Sequence, residues 1–332
     1  MKWEIATIQS ELVGPWKICG SEVNSKEIIY IKATKGEFTG VGEVTYGSKE
    51  TMDIETLKQD LENFSYAYKD VHVAQFNEMA RFLETIDFEC KRIRFAIEAA
   101  FLDYLAKATE IPPWRIIGTN TIKSVNSFSS ISLFESSEEG KDLMESASKA
   151  EMYKLKISKD TFSSQLDFIN QLTIPFCLDA NESWGSDVDG VLSAFKQITN
   201  DKVLFVEQPL ERMCLEGYRR LKKESNIEIF LDETVQDHKH LNVFVDLCHG
   251  IVIKAPKSLS VMRVVSQMDQ AKKLGLKTML GCMVESNVGI ATLFSVAYGF
   301  DYYDFDGFTK LKTDDSDRVF WDNGKVVLSS MN

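Results

Sequence analysis

The sequence predicts an α/β fold: a barrel of parallel strands with a smaller α+β module in front of it. Three observations carry this expectation. The 332 residues exceed one ordinary single-core domain. The first 115 or so run strands first and helices after, as a compact α+β unit does. From about residue 121, short apolar runs alternate with helical patterns, eight strands and seven helices in about 185 residues. A doubly wound open sheet is the main alternative, although no GxGxxG turn follows the first strand to give its dinucleotide-binding form.

Taken in order, Trp3–Ile8 and Glu27–Lys32 alternate in strand fashion, and a glycine-bounded turn leads into Phe38–Glu43. Residues 53–108 turn helical and end in RIRFAIEAAFLDYLAK, whose Ile93, Ala96, Ile97, Ala100, Phe101, Tyr104 and Leu105 are expected on one face. The barrel strands are expected at 124–131, 152–157, 174–179, 203–207, 228–232, 249–254, 276–281 and 301–305. Several are runs of Val, Ile, Leu and Phe, as parallel strands covered on both faces should be.

Composition narrows the function. Hydrophobic residues make up 44% and charged residues 27%, a globular balance, and six prolines and 18 glycines argue against disorder. A net charge of −12 repels phosphate backbones, so no nucleic-acid partner is expected. No run approaches the roughly 18 apolar residues of a membrane span. The start carries no basic and apolar leader, and six dispersed cysteines read as reduced thiols, so the expected location is cytoplasmic.

The chemistry lies at the strand ends. Lys156, Asp179, Glu207, Asp232 and Lys254 each end a predicted apolar strand, at separations of 23, 28, 25 and 22 residues. Each gap is one βα unit, so five successive strands present one ionisable group apiece to the mouth of the barrel. One such charge is usually a solvated terminus; five in the order Lys, acid, acid, acid, Lys are not. Three close carboxylates need a cation, and hard oxygen donors suit Mg²⁺. Such an ion holds a substrate carboxylate and stabilises the charge that develops when the adjacent C–H loses its proton. Lys154 and Lys156, two apart, face the same side, and like-charge repulsion together with the metal is expected to lower the pKa of one of them.

These motifs resemble the enolase superfamily in its muconate-lactonising subgroup, over essentially the whole chain. Pro15–Glu43 and RFAIEAAFLDYLAK resemble its capping domain, YKLKIS its KxK strand, LDANESW, VEQPL and LDET its three metal-ligand strands, and IVIKAP its sixth-strand lysine. The resemblance implies a (β/α)7β modified TIM barrel at 119–307 with an α+β cap at 1–118, completed by 308–332. It implies one Mg²⁺ per subunit on Asp179, Glu207 and Asp232, Lys156 and Lys254 as the acid/base pair, and Lys154 as a charge near the substrate carboxylate. Asp304-Phe305-Asp306, followed by LKTD at Leu311–Asp314, is similar to the ammonium clamp of the dipeptide epimerases, and Ser127 stands where relatives face the substrate with a Thr.

The implied function is a Mg²⁺-dependent dipeptide epimerase acting on L-Ala-L/D-Glu or a broader set of L-Xaa dipeptides, in peptidoglycan peptide metabolism. The partner is a small dipeptide; a homo-oligomer stays open. The Arg that Ala-Glu epimerases carry after the first strand is Ser21 here, with Lys17 and Lys26 as substitutes, so a broader or apolar second residue is open too. The alternatives are o-succinylbenzoate synthase or muconate cycloisomerase chemistry, N-acylamino acid racemisation, and a metal- or peptide-binding barrel without turnover. His72, His238, His240 and His249 are expected to be structural, Lys239 lies in an exposed helix start, Cys282 and Glu285 line the mouth, and Trp184 covers the site or merely packs.

Overall fold

The computed structural model describes residues 1–44, 46, 54–69, 73–235, 240–313 and 316–329. His72, His238, Lys239 and Asp314 lie outside them. Strands β1 (Lys2–Ile18), β2 (Ser21–Lys35) and β3 (Phe38–Val44) form an antiparallel sheet, with a register shift between Glu11 and Trp16. Helix Ile93–Thr109 lies directly on β3. The glycines of the GVGE stretch make this possible: a Cβ on Gly40 would fall 2.1 Å from the Ala100 carbonyl oxygen, and one on Gly42 2.0 Å from that of Ala96. The single apolar face expected for this helix is instead burial almost all round, Glu98 and Asp103 included, because the barrel covers the side the sheet does not.

The stretch read as one strand at 124–131 is two. Strand β4 (Ser124–Asn126) pairs with β14 (Lys325–Leu328), which pairs in turn with β13 (Val319–Asp322). Strand β5 (Phe128–Ile131) opens the parallel sheet. It continues through β6 (Met152–Lys156), β7 (Phe176–Asp179), β8 (Val203–Glu207), β9 (Ile229–Leu231), β10 (Gly250–Lys254), β11 (Lys277–Gly281) and β12 (Tyr302–Asp304). A parallel bridge between Ser127 and Tyr303 joins the last strand to the first, and the eight strands close into the expected barrel. The chain end was expected to complete the cap. It touches β1 through Leu311 against Leu12, but its hairpin lies on β4.

Helices cross between the strands as expected, except after β9, where the described connection holds a single 3-10 turn, Leu241–Phe244. The barrel interior is filled at its lower end by Phe128, Cys177, Phe205, Phe230, Val252 and Met279, with Phe205 stacked on Phe230 at 3.9 Å. A core this tightly filled fixes the strand ends above it. All six cysteines are free thiols, and no helix among the described residues is long and apolar enough to cross a membrane.

Candidate active site

Strand register gathers the charges. Lys156, Asp179 and Glu207 are successive partners across β6, β7 and β8; Lys254, Gly281 and Asp304 are successive partners across β10, β11 and β12. Gly281 leaves room for its neighbour, since a Cβ there would stand 3.3 Å from Lys254 Cε. The groups lie under a cavity of about 1030 Å³ whose other wall comes from the capping sheet, including Leu12, Trp16, Ile18, Val23 and Lys26.

Every charge in this layer is buried, and each is paired. The Lys154 ammonium lies 3.1 Å from Asp179, 2.8 Å from Glu207 and 3.0 Å from Asp304. Lys156 donates to Asp179 at 2.5 Å and to Asn181 at 3.0 Å. Asp232 accepts from Lys254 at 2.9 Å and from Lys257 at 2.6 Å. Burial works to raise the Asp179 and Asp232 carboxyls, and the lysines beside each outweigh it, holding both below the usual carboxylate range. Glu207 goes the other way: burial first, and then the charge of Asp179, push it up to about 8.

Burial works to lower Lys154 and Lys254, but the surrounding carboxylates prevail, and both are raised above the ordinary lysine value.

No three carboxylates, thiolates or imidazoles among the described residues stand close enough to grip a metal unaided; the Lys154 ammonium lies between Asp179, Glu207 and Asp304 instead. The donor set still suits a hard dication. Three buried carboxylates stand at or just past the ends of consecutive strands, and neither oxygen of Glu207 has a hydrogen bond of acceptable geometry, despite the nearby Lys154.

The two clamp aspartates do converge, though not as alternate residues of one strand. Strand β12 stops at Asp304, and Asp306 opens a 3-10 turn, Asp306–Lys310. Both meet the Ser130 hydroxyl, at 3.3 Å from Asp304 and 3.2 Å from Asp306. Ser127, expected to face the substrate, is displaced from that role. It sits at the break between β4 and β5, where its hydroxyl accepts from Phe305 N at 2.8 Å and donates to the Phe128 carbonyl at 2.9 Å. Ser130, three residues on, stands in the cavity wall.

Sequence reasoning also missed Lys257 and Lys310, both in that wall. Lys257 follows the end of its strand by three residues and Lys310 by six, each in a helical turn, where strand spacing does not look. Trp184 packs between Phe162 and Phe195, away from the cavity. His249 accepts from Ile229 N at 3.0 Å, and Glu285 is buried behind the lining Cys282.

The profile described as enolase C-terminal domain-like matches residues 145–324. The chain is 23% identical over 299 residues to an L-Ala-D/L-Glu epimerase of Bacteroides thetaiotaomicron, covering 88% of this chain and 76% of that one. It is 25% identical over 306 residues to a hydrophobic dipeptide epimerase of a Flavobacteria bacterium, covering 89% and 86%. Among solved structures, it superimposes with a TM-score of 0.84 on a dipeptide epimerase from Enterococcus faecalis complexed with Mg and the dipeptide L-Leu-L-Tyr. That match is 19% identical over 99% of this chain and 96% of the other.

Proposed function

The chain belongs to the enolase C-terminal domain-like family, and from that premise we propose that it is a Mg²⁺-dependent dipeptide epimerase. It would invert the Cα of the C-terminal residue by proton transfer between two lysines. One observation carries the proposal. Lys156 and Lys254 end the second and sixth of eight strands, opposite positions in a closed barrel, and the three strands between them end in a carboxylate or run straight into one. Groups so placed reach the two faces of one carbon held between them.

Asp179, Glu207 and Asp232 would hold the ion, which when bound supplies positive charge to the substrate carboxylate beside the reacting carbon. Lys154, within 3.1 Å of Asp179, adds a fixed charge on the same side. One of the two opposed lysines must enter the reaction neutral, to take the α-proton; the other enters protonated and returns a proton to the opposite face. Asn181, bound to Lys156, orients that ammonium. Asp232 does the same for Lys254.

Leu12, Trp16, Ile18 and Val23 share the capping wall with Lys26 and Arg92, which supports a broad side-chain range that takes in apolar residues and Glu alike. Incubating L,L-dipeptides in D₂O with Mg²⁺ tests the reaction. Epimerisation puts one deuterium on the product α-carbon and leaves the mass otherwise unchanged. Loss of water or ring formation would replace the proposal with lyase chemistry, and bound Mg²⁺ without any α-proton exchange would leave a binding barrel.

A further inference from the structure

The protein itself offsets part of the negative charge of the subsite formed by Ser130, Asp304 and Asp306. Asp304 Oδ2 is paired at 3.0 Å with Lys154, an ammonium it shares with Asp179 and Glu207. Asp306 Oδ2 is paired with Lys310 at 2.9 Å, and it also accepts from Ser130 N at 2.6 Å. Lys310 is held firmly for a lysine. Its ammonium donates to the Ser130 carbonyl at 2.9 Å and lies 5.1 Å from the centre of the Trp16 ring, which belongs to the capping sheet. What the two aspartates turn toward the Ser130 hydroxyl is one oxygen each, Oδ1 in both cases. Two carboxylates and two ammoniums therefore share this corner of the cavity.

A subsite of two bare carboxylates would demand a cation, because an uncharged ligand would leave both buried and unpaired. Lys310 on Asp306, with a share of Lys154 on Asp304, meets much of that demand before any ligand arrives. A third ammonium gains attraction from the aspartates but meets repulsion from two lysines. The Ser130 hydroxyl and the two Oδ1 atoms remain to hydrogen-bond a neutral N–H as readily as a charged one.

Resting on the dipeptide reading above, we propose that Lys310 sets the charge selectivity of this subsite, so that the chain accepts substrates with an uncharged N-acyl group as well as those with a free ammonium. Lys310 is a specificity-determining residue in this view, acting through Asp306 and through its own charge.

The experiment compares L-Ala-L-Leu with N-acetyl-L-Ala-L-Leu in the wild-type protein and in Lys310→Met and Lys310→Arg. Wild type should favour the free dipeptide by no more than about tenfold in kcat/KM. Lys310→Met should raise that preference by roughly tenfold or more, chiefly through a lower KM for the free dipeptide with kcat little changed. Lys310→Arg, which keeps the charge, should return it to the wild-type value. A lysine with only a structural role would depress both substrates together and leave the ratio alone.

Calorimetric Kd values for the same two compounds on the same three proteins read the ratio without turnover. They decide the charge question even if no epimerisation occurs, an outcome that would count against the dipeptide reading alone. A wild-type preference above about a hundredfold, an unchanged ratio in Lys310→Met, or binding of neither compound would overturn the proposal.

Discussion

Asp232 carries two ammoniums, one on each oxygen, Lys254 on Oδ2 and Lys257 on Oδ1. An amide in its place keeps the shape but loses the charge that both lysines and a dication need. Asp232→Asn should weaken Mg²⁺ binding by roughly tenfold or more and abolish turnover, while the barrel core, built from other residues, keeps its melting temperature within a few degrees. Calorimetric Mg²⁺ titration and a thermal scan check the two halves separately; full turnover would remove Asp232 from the metal site. The opposed lysines make a second, stereochemical prediction. Lys156→Ala and Lys254→Ala should each abolish net epimerisation, yet each should still wash out the α-proton of one enantiomer, and a different one. NMR in D₂O reads this directly, and exchange of the same enantiomer by both variants would end the two-base scheme. The five strand-end charges were legible because an apolar run followed by one ionisable residue is a strong contrast in any sequence. Ser130 was not, because it sits among Ser127, Ser129 and Ser132, and only the break after β4 decides which hydroxyl meets the cavity.

At the scale of elements, the close approach of β3 to helix Ile93–Thr109 sets a steric test. A Cβ on Gly42 would lie 2.0 Å from the Ala96 carbonyl oxygen and 2.8 Å from the Ala100 nitrogen, both backbone atoms that cannot rotate away. Gly42→Ala should therefore destabilise the protein by about 1–3 kcal/mol or more, the ordinary cost of overpacking. Urea unfolding measures it, and a change below about 0.5 kcal/mol would contradict the packing, since surface substitutions alone stay within that range. The parallel strands were read well from sequence because they are short, apolar and covered on both faces. Two elements were not. The break at Ser127 depends on a hydrogen bond from Phe305, 178 residues away, and no local pattern encodes it. Helix Ile93–Thr109 has its apolar residues spread around its circumference because two layers cover it, so periodicity alone could not tell a one-sided helix from a sandwiched one.

The whole molecule depends on how the capping sheet is held over the barrel mouth, since the two share the walls of one cavity. Much of that hold is made by buried carboxyls. Glu98, on the long helix of the cap, accepts from Ser260 Oγ at 3.0 Å and Val261 N at 2.8 Å, where a barrel helix begins just after Lys254 and Lys257. Glu43, at the end of β3, accepts from Ser286 N at 3.0 Å, Ser286 Oγ at 2.5 Å and Gly289 N at 3.2 Å, at the start of the helix that follows β11. Burial pushes Glu98 up to about 7. Burial, and then the charge of Glu285, push Glu43 up to about 8, against the opposing pull of Ser286 and of Lys26. Burial likewise raises Glu285, to about 7. An acid whose pKa is raised on folding keeps its proton in the native state at a pH where the unfolded chain, near 4.5, has released it. The native state then binds more protons, so stability is greatest at or below pH 4.5 as far as these groups go, and falls as pH rises toward 7 and 8. Above that the penalty is complete, on the order of a few kcal/mol for Glu43. Glu43→Gln keeps an acceptor for Ser286 and Gly289 but has nothing to ionise. Calorimetric melting from pH 5 to pH 9 should show a decline in the native protein that is visibly flatter in Glu43→Gln, and flatter again when Glu98→Gln is added. Identical slopes in all three would mean that these carboxyls do not carry the pH dependence of the cap on the barrel.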